Sequence, residues 1–275
     1  MPLYHAVVLA IVQGLTEFLP VSSTAHLVLF PWFAGWKDPG LTFDVALHAG
    51  TLVAVVIFFW RMWAEMLKAA AGLGDSKDPE VRQKRKLFWL LVIGTIPAGI
   101  AGLAFEKQAE SVFRTPLVIG IALIVVGLIM WWGEAVSRDE ESLKQVGLLD
   151  SIVVGIAQAF AVIPGVSRSG STMTAGLFCS MKRETAARFS FLLSAPIIAG
   201  AVAKKALEIH HAGGLPPDMR KPFFVGVIVS AIVGYAVIGW LIRYLERRTF
   251  KVFVIYRVAL GVVVLALGLG LHRGV

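Results

Sequence analysis

At 275 residues the chain has the length of one or two soluble domains, but its composition excludes them. Hydrophobic residues make up 57% and charged residues 16%, with a mean hydropathy of +0.77, whereas a globule carries roughly 25% charge to wet its surface. The net charge of +8 comes from Lys and Arg that flank apolar runs with no nucleic-acid-binding signature among them, and Cys179, standing alone, excludes a disulfide framework or a thiolate metal site.

In chain order, the first apolar stretch, 3–33, is interrupted near its middle by Pro20, Ser22, Ser23 and Thr24. Residues 1–10 hold no Lys or Arg and no small-residue cleavage site follows, so the N-terminus is expected to stay on the protein. A span is expected at 42–60, because about 20 apolar residues cross about 30 Å of hydrocarbon. The polar segment 61–86 follows, with Trp60, Arg61 and Trp63 as interface anchors and a loop at 75–79, and is expected to lie on the membrane surface. Further spans are expected at 87–106 and 114–133, with Glu106 and Glu134 at span ends facing water. A second interrupted stretch, 149–179, precedes spans at 188–203, 223–242 and 252–271.

The order of elements repeats: one broken segment, then three spans. A shift of 145 places Gln13 on Gln158, Val21 on Val166 and Ser22 on Ser167, and a shift of 137 places Ala122-Leu123 on Ala259-Leu260. Three spans per half make the second half enter from the opposite face. The expected fold is therefore an all-α polytopic membrane protein: one domain of six transmembrane helices and two re-entrant helical hairpins, with 1–137 and 147–275 as inverted-topology repeats. Irregular backbone at membrane depth survives only when buried in protein or lining a wet cavity, so a site is expected where the broken helices meet. Of the 26 Lys and Arg, 16 fall on the side opposite the N-terminus, 8 on the N-terminal side, and Arg168 and Arg257 lie within membrane segments. The positive-inside rule then puts both termini outside.

Ionisable residues at membrane depth are costly and mark function. Gln13 and Glu17 are four apart and share a helix face. Ser22, Ser23 and Thr24 are placed to cap the returning helix and leave its amides for an anion, with His26 in its first turns. In the second break, Gly165 and Gly170 permit close backbone approach, and Ser167, Ser169, Ser171 and Thr172 supply hydroxyls. Arg168 supplies a forked cation suited to phosphate. Together these read as a phosphate cradle beside a carboxylate. Arg168 is expected to stabilise transition-state charge and Glu17 to bind a cation or act as base, while His26 or Ser23 attacks phosphorus or His26 handles the leaving group. An acid-lined pocket beside phosphate calls for Mg²⁺ or Ca²⁺, with Glu17 as the first ligand and Asp44 as a weaker one. Asp44 and His48 share a face, which suits a pocket wall or a structural pair; Arg257, inside the last span, calls for a structural partner.

At these two breaks the sequence resembles the undecaprenyl-diphosphate phosphatase family of bacterial inner membranes, also called the bacitracin-resistance protein family. Its first motif, Glu or Gln ahead of a fixed Glu, is matched by Gln13-Gly-Leu-Thr-Glu17, and the Pro-Val-Ser-Ser-Thr-x-His that follows by Pro20 to His26. Its second, Pro-Gly-x-Ser-Arg-Ser-x-x-Thr, is matched by Pro164 to Thr172, and the likeness extends over essentially the whole chain to Ile255-Tyr256-Arg257. The resemblance implies hydrolysis of undecaprenyl diphosphate to the monophosphate and inorganic phosphate, which recycles the carrier lipid for cell-wall synthesis and lowers the target of bacitracin. It implies six spans and two re-entrant hairpins, with the site open to the outer face of the inner membrane. It places catalytic roles on Glu17, Ser23, His26 and Arg168, with Gln13 at a position that is often Glu; one carboxylate must then suffice, or Asp44 must assist. The expected partners are a polyprenyl diphosphate, the bilayer and, as a candidate, a second copy of the chain. The competing reading is a transporter or flippase for the same lipid, since inverted repeats with broken helices also build transporters.

Overall fold

The computed structural model describes residues 1–110 and 112–270. Its helices are α1 (Leu3–Thr16), α2 (Ser23–Ala34), α3 (Leu41–Phe58), α4 (Trp60–Ala70), α5 (Pro79–Ala104), α6 (Glu106–Glu110), α7 (Pro116–Val136), α8 (Leu148–Ala159), α9 (Arg168–Phe178), α10 (Arg183–His211), α11 (Pro217–Leu245) and α12 (Lys251–Gly270). No strand is present among the described residues. Six of these helices, α3, α5, α7, α10, α11 and α12, are long and apolar enough to cross a membrane, matching the six expected spans. Leu271, the last residue of the expected final span, and Arg273, counted in the charge asymmetry, lie outside the described residues.

Helix starts follow local chemistry. Asp78 caps α5 by accepting from the Glu80 amide at 2.8 Å, and Pro79 takes the first position, where its missing N–H costs nothing. Thr115 and Pro116 do the same for α7. The 61–86 stretch is helical over α4, which packs Met66 and Ala69 inward and keeps Arg61 and Lys68 exposed. Helices α10 and α11 run well past their apolar windows, because their ends carry Lys, Arg and His that belong to water.

The pairings of the two halves correspond. Helix α1 packs on α2 and α11, as α8 packs on α9 and α5; α3 packs on α11 and α10, as α10 packs on α5 and α3; and α7 packs on α12. The main core lies beneath the breaks, with Phe18 edge-on to Phe191 at 5.2 Å. Close helix contact needs glycine at Gly155, where a Cβ would sit 2.4 Å from the Gly94 carbonyl oxygen of α5. Gly155→Ala should therefore lower stability by about 1–3 kcal/mol. Thermal unfolding in detergent reads this, and an unchanged midpoint would contradict the contact.

One expectation is corrected. Glu134 does not face water: its carboxylate binds Arg183 at 2.5 Å and accepts from the Phe250 amide at 3.2 Å, joining the ends of α7, α10 and α12. Arg183 also binds Asp139 at 2.5 Å. Glu106 is more open and pairs with Lys204.

Candidate active site

The two breaks are built alike. Ser22 and Ser167 precede α2 and α9 with φ of 74° and 72°, in the left-handed region that most side chains avoid. Such backbone costs about 1–3 kcal/mol per residue and persists only where surroundings enforce it. Each serine caps its helix, Ser22 accepting from the Ala25 amide at 3.4 Å and Ser167 from the Gly170 amide at 3.0 Å. The breaks also interlock. The Gly165 amide donates to Ser22 Oγ at 3.1 Å, and Ser169 Oγ donates to the Leu19 carbonyl at 2.9 Å.

Arg257 clamps both breaks from α12. It is fully buried and donates to the carbonyls of Pro20 (3.1 Å), Gly165 (2.7 Å), Val166 (3.1 Å) and Leu123 (3.4 Å). Its partner is therefore backbone, chiefly the carbonyls that the breaks have freed from helical bonding.

Glu17 stands at the centre. Its Oε1 accepts from Arg168 Nη2 at 2.7 Å. Its Oε2 accepts from Ser23 Oγ at 2.6 Å and Gln13 Nε2 at 3.0 Å, and lies 3.2 Å from His48 Nε2. A buried carboxylate needs such partners, because desolvation otherwise costs several kcal/mol. Arg168 also donates from Nη1 to the Ser190 carbonyl at 3.2 Å, while its Nε is buried with no partner among the described residues. Thr172 Oγ1 donates to the Arg168 carbonyl at 2.7 Å and meets Ser190 Oγ at 2.6 Å, holding the first turn of α9 against α10.

The expected residues divide. Gln13, Glu17, Ser23 and Arg168 come together directly. Ser22, Ser167 and Ser169 shape the breaks, and Thr24 Oγ1 meets Ser22 Oγ at 3.3 Å. His26 is turned elsewhere: Nδ1 lies 2.7 Å from the Ser22 carbonyl oxygen and Nε2 2.7 Å from the Tyr256 hydroxyl. Asp44 pairs with Arg114 at 3.0 Å, and Arg114 with Asp38 at 2.9 Å. His48 joins the cluster instead, with Nδ1 tied to the Asp44 carbonyl at 2.7 Å. In the sequence His48 stands out only through its shared face with Asp44, and Tyr256 only as part of the Ile255-Tyr256-Arg257 likeness; Ser190 carries no signal of a role.

The donor set suits a hard cation. Gln13 Oε1 is a buried acceptor with no partner among the described residues, next to the Glu17 carboxylate. No three His, Cys, Asp or Glu among the described residues group closely enough to hold an ion by themselves. An ion here would draw its other oxygens from a phosphate ligand, as Mg²⁺ commonly does.

A carboxylate, a serine and a guanidinium thus converge where the two breaks meet among six helices long and apolar enough to cross a membrane, which defines a polytopic membrane protein with a buried polar cluster. The comparisons make this specific. The model of the bacitracin resistance protein BacA family matches residues 6–263, and the chain belongs to that family. It is 50% identical to the undecaprenyl-diphosphatase of Moorella thermoacetica, over 97% of this chain and 98% of that one. It is 48% identical to the undecaprenyl-diphosphatase of Pelotomaculum thermopropionicum, over 97% of each. It is 48% identical to undecaprenyl-diphosphatase 2 of Stutzerimonas stutzeri, over 97% of this chain and 98% of the relative.

Proposed function

We propose that the chain hydrolyses undecaprenyl diphosphate to undecaprenyl phosphate and inorganic phosphate, and that Ser23 is the nucleophile. The Ser23 Oγ–Glu17 Oε2 hydrogen bond of 2.6 Å, with Arg168 on the other carboxylate oxygen, carries the reading. Glu17 holds the serine proton and Arg168 stands where phosphate charge must be met. The Arg168 Nε, which has no partner among the described residues, and the first-turn amides of α2 and α9 are donors for the phosphoryl oxygens.

The chemistry follows from those positions. The terminal phosphate draws the Arg168 guanidinium toward its oxygens, which loosens the pair on Glu17 Oε1. The Ser23 proton passes to Glu17 as Ser23 Oγ bonds to the terminal phosphorus. The bond from that phosphorus to the bridging oxygen breaks, and the prenyl monophosphate leaves with the bonding pair and takes the proton from Glu17, which returns Glu17 to its carboxylate. Water, giving its proton to Glu17, then cleaves the phosphoserine; inorganic phosphate departs and Ser23 regains its proton. Gln13 and His48 hold Glu17 in place throughout. A divalent cation, Mg²⁺ or Ca²⁺, would be held by Glu17, Gln13 Oε1 and the diphosphate, and would neutralise phosphate charge. His26, held by Ser22 and Tyr256, borders the cradle and is the alternative nucleophile.

The reading includes placement. The corresponding pairings of the two halves support an inverted repeat whose two hairpins re-enter from opposite faces. The 16-to-8 division of Lys and Arg supports a bacterial inner-membrane protein with its site open to the outer side.

Ser23→Ala and His26→Ala separate the nucleophiles. Ser23→Ala should lower phosphate release at least about 10³-fold. Rapidly quenched wild-type protein should carry phosphoserine at Ser23 by mass spectrometry. Phosphohistidine at His26, with Ser23→Ala near wild-type activity, would transfer the role.

A further inference from the structure

A second cleft, of about 460 Å³, lies between the end of α3 and the last turns of α11. Tyr235, Ala236, Gly239, Trp240, Arg243 and Tyr244 line it from one stripe of α11, and Phe58 closes it from α3. The spacing of 1, 3 and 4 residues puts all six on one helix face over more than two turns. The floor is apolar, where Phe58 meets Tyr235 edge-on at 5.4 Å and Gly239 leaves room beside the Phe58 ring. The rim is aromatic and cationic: Trp240 and Tyr244 stack at 5.1 Å beside the exposed Arg243. No ion pair or hydrogen bond among the described residues engages the Arg243 guanidinium.

This gradient has the shape of a lipid. The apolar end lies within the span of α11, and the cation stands near its end, where aromatic residues gather at the membrane interface. Arg247, Arg248 and Lys251 follow in the sequence against one carboxylate, Glu246, and keep the segment positive. An anionic headgroup is attracted to such a basic segment, and guanidinium binds phosphate in a forked geometry. The cleft is separate from the catalytic cluster: Phe58 is ten residues beyond His48 on α3, about 15 Å along the helix.

We infer that this cleft binds a membrane phospholipid with an anionic headgroup, its phosphate on Arg243 and an acyl chain along Gly239 and Phe58. Native mass spectrometry of delipidated full-length protein tests it, with phosphatidylglycerol or phosphatidylcholine added back. Wild type should retain phosphatidylglycerol about tenfold better than phosphatidylcholine, because both carry a phosphate but only in phosphatidylcholine is its charge cancelled by a choline cation. Arg243→Gln should erase that preference, and Gly239→Leu should reduce retention of both lipids. Phosphate release in detergent should be unchanged in both variants. Arg243→Gln alters an exposed side chain, so it decides the matter even if Gly239→Leu disturbs packing. Equal retention of the two lipids by wild type, or undiminished phosphatidylglycerol on Arg243→Gln, would overturn the inference. Millimolar inorganic phosphate should leave the bound lipid in place; displacement by it would assign the cleft to free phosphate instead.

Discussion

Arg168→Ala is expected to lower phosphate release by about 10³-fold or more, the range measured when an arginine that meets transferring phosphoryl charge is removed. The effect should fall mainly on kcat, because the guanidinium does most as charge gathers on the phosphoryl oxygens. Arg168→Lys should rescue little, since a point charge cannot reach Glu17, the Ser190 carbonyl and a phosphate oxygen together. The fold should largely survive. Glu17 keeps Ser23 and Gln13 as donors and His48 beside it, so its carboxylate is not left bare. Steady-state release with a long-chain prenyl diphosphate, beside a thermal midpoint for each variant, measures both parts. Near-wild-type turnover in Arg168→Ala would remove Arg168 from the chemistry.

Arg257→Met should act in the opposite order, on stability first. It would strip a buried donor from four carbonyl groups, on Pro20, Leu123, Gly165 and Val166. Breaking such a buried charged network costs roughly 3–5 kcal/mol. The midpoint of unfolding should drop, and activity should fall with it, because the register of both breaks depends on this one side chain. Arg257→Lys, which keeps the charge with fewer directed donors, should lie between. An unchanged midpoint for Arg257→Met would show that the breaks hold without the clamp.

The membrane architecture was legible because hydropathy and span length are local properties. So were the breaks, since Pro, Ser and charge in the middle of an apolar run are too costly in lipid to belong to an unbroken span. Gln13 and Glu17 were readable as one face from their spacing of four, and Ser22 as a cap from its place before the returning helix. What was not legible was which distant atoms meet. Asp44 and His48 share a face equally well, yet the carboxylate goes to Arg114 and the imidazole to Glu17, a choice made by tertiary packing. Arg257 plainly needed a partner, but its partners are backbone carbonyls, which no residue letter records. Glu134 sat at a span end beside water-seeking neighbours, and only the return of Arg183, 49 residues on, encloses it. His26 had the right chemistry for a nucleophile; its bonds to Ser22 and Tyr256 are what turn attention to Ser23.

The most direct measurement is phosphate release by purified protein in detergent given undecaprenyl diphosphate, with Glu17→Gln alongside and EDTA in a parallel sample. Detergent abolishes the two sides of the membrane, so translocation alone yields no phosphate. Release by wild type, lost in folded Glu17→Gln and restored by Mg²⁺ or Ca²⁺ after EDTA, is the expected result. Well-folded wild-type protein that releases no phosphate with either ion would contradict the account and leave lipid transport as the activity this architecture supports.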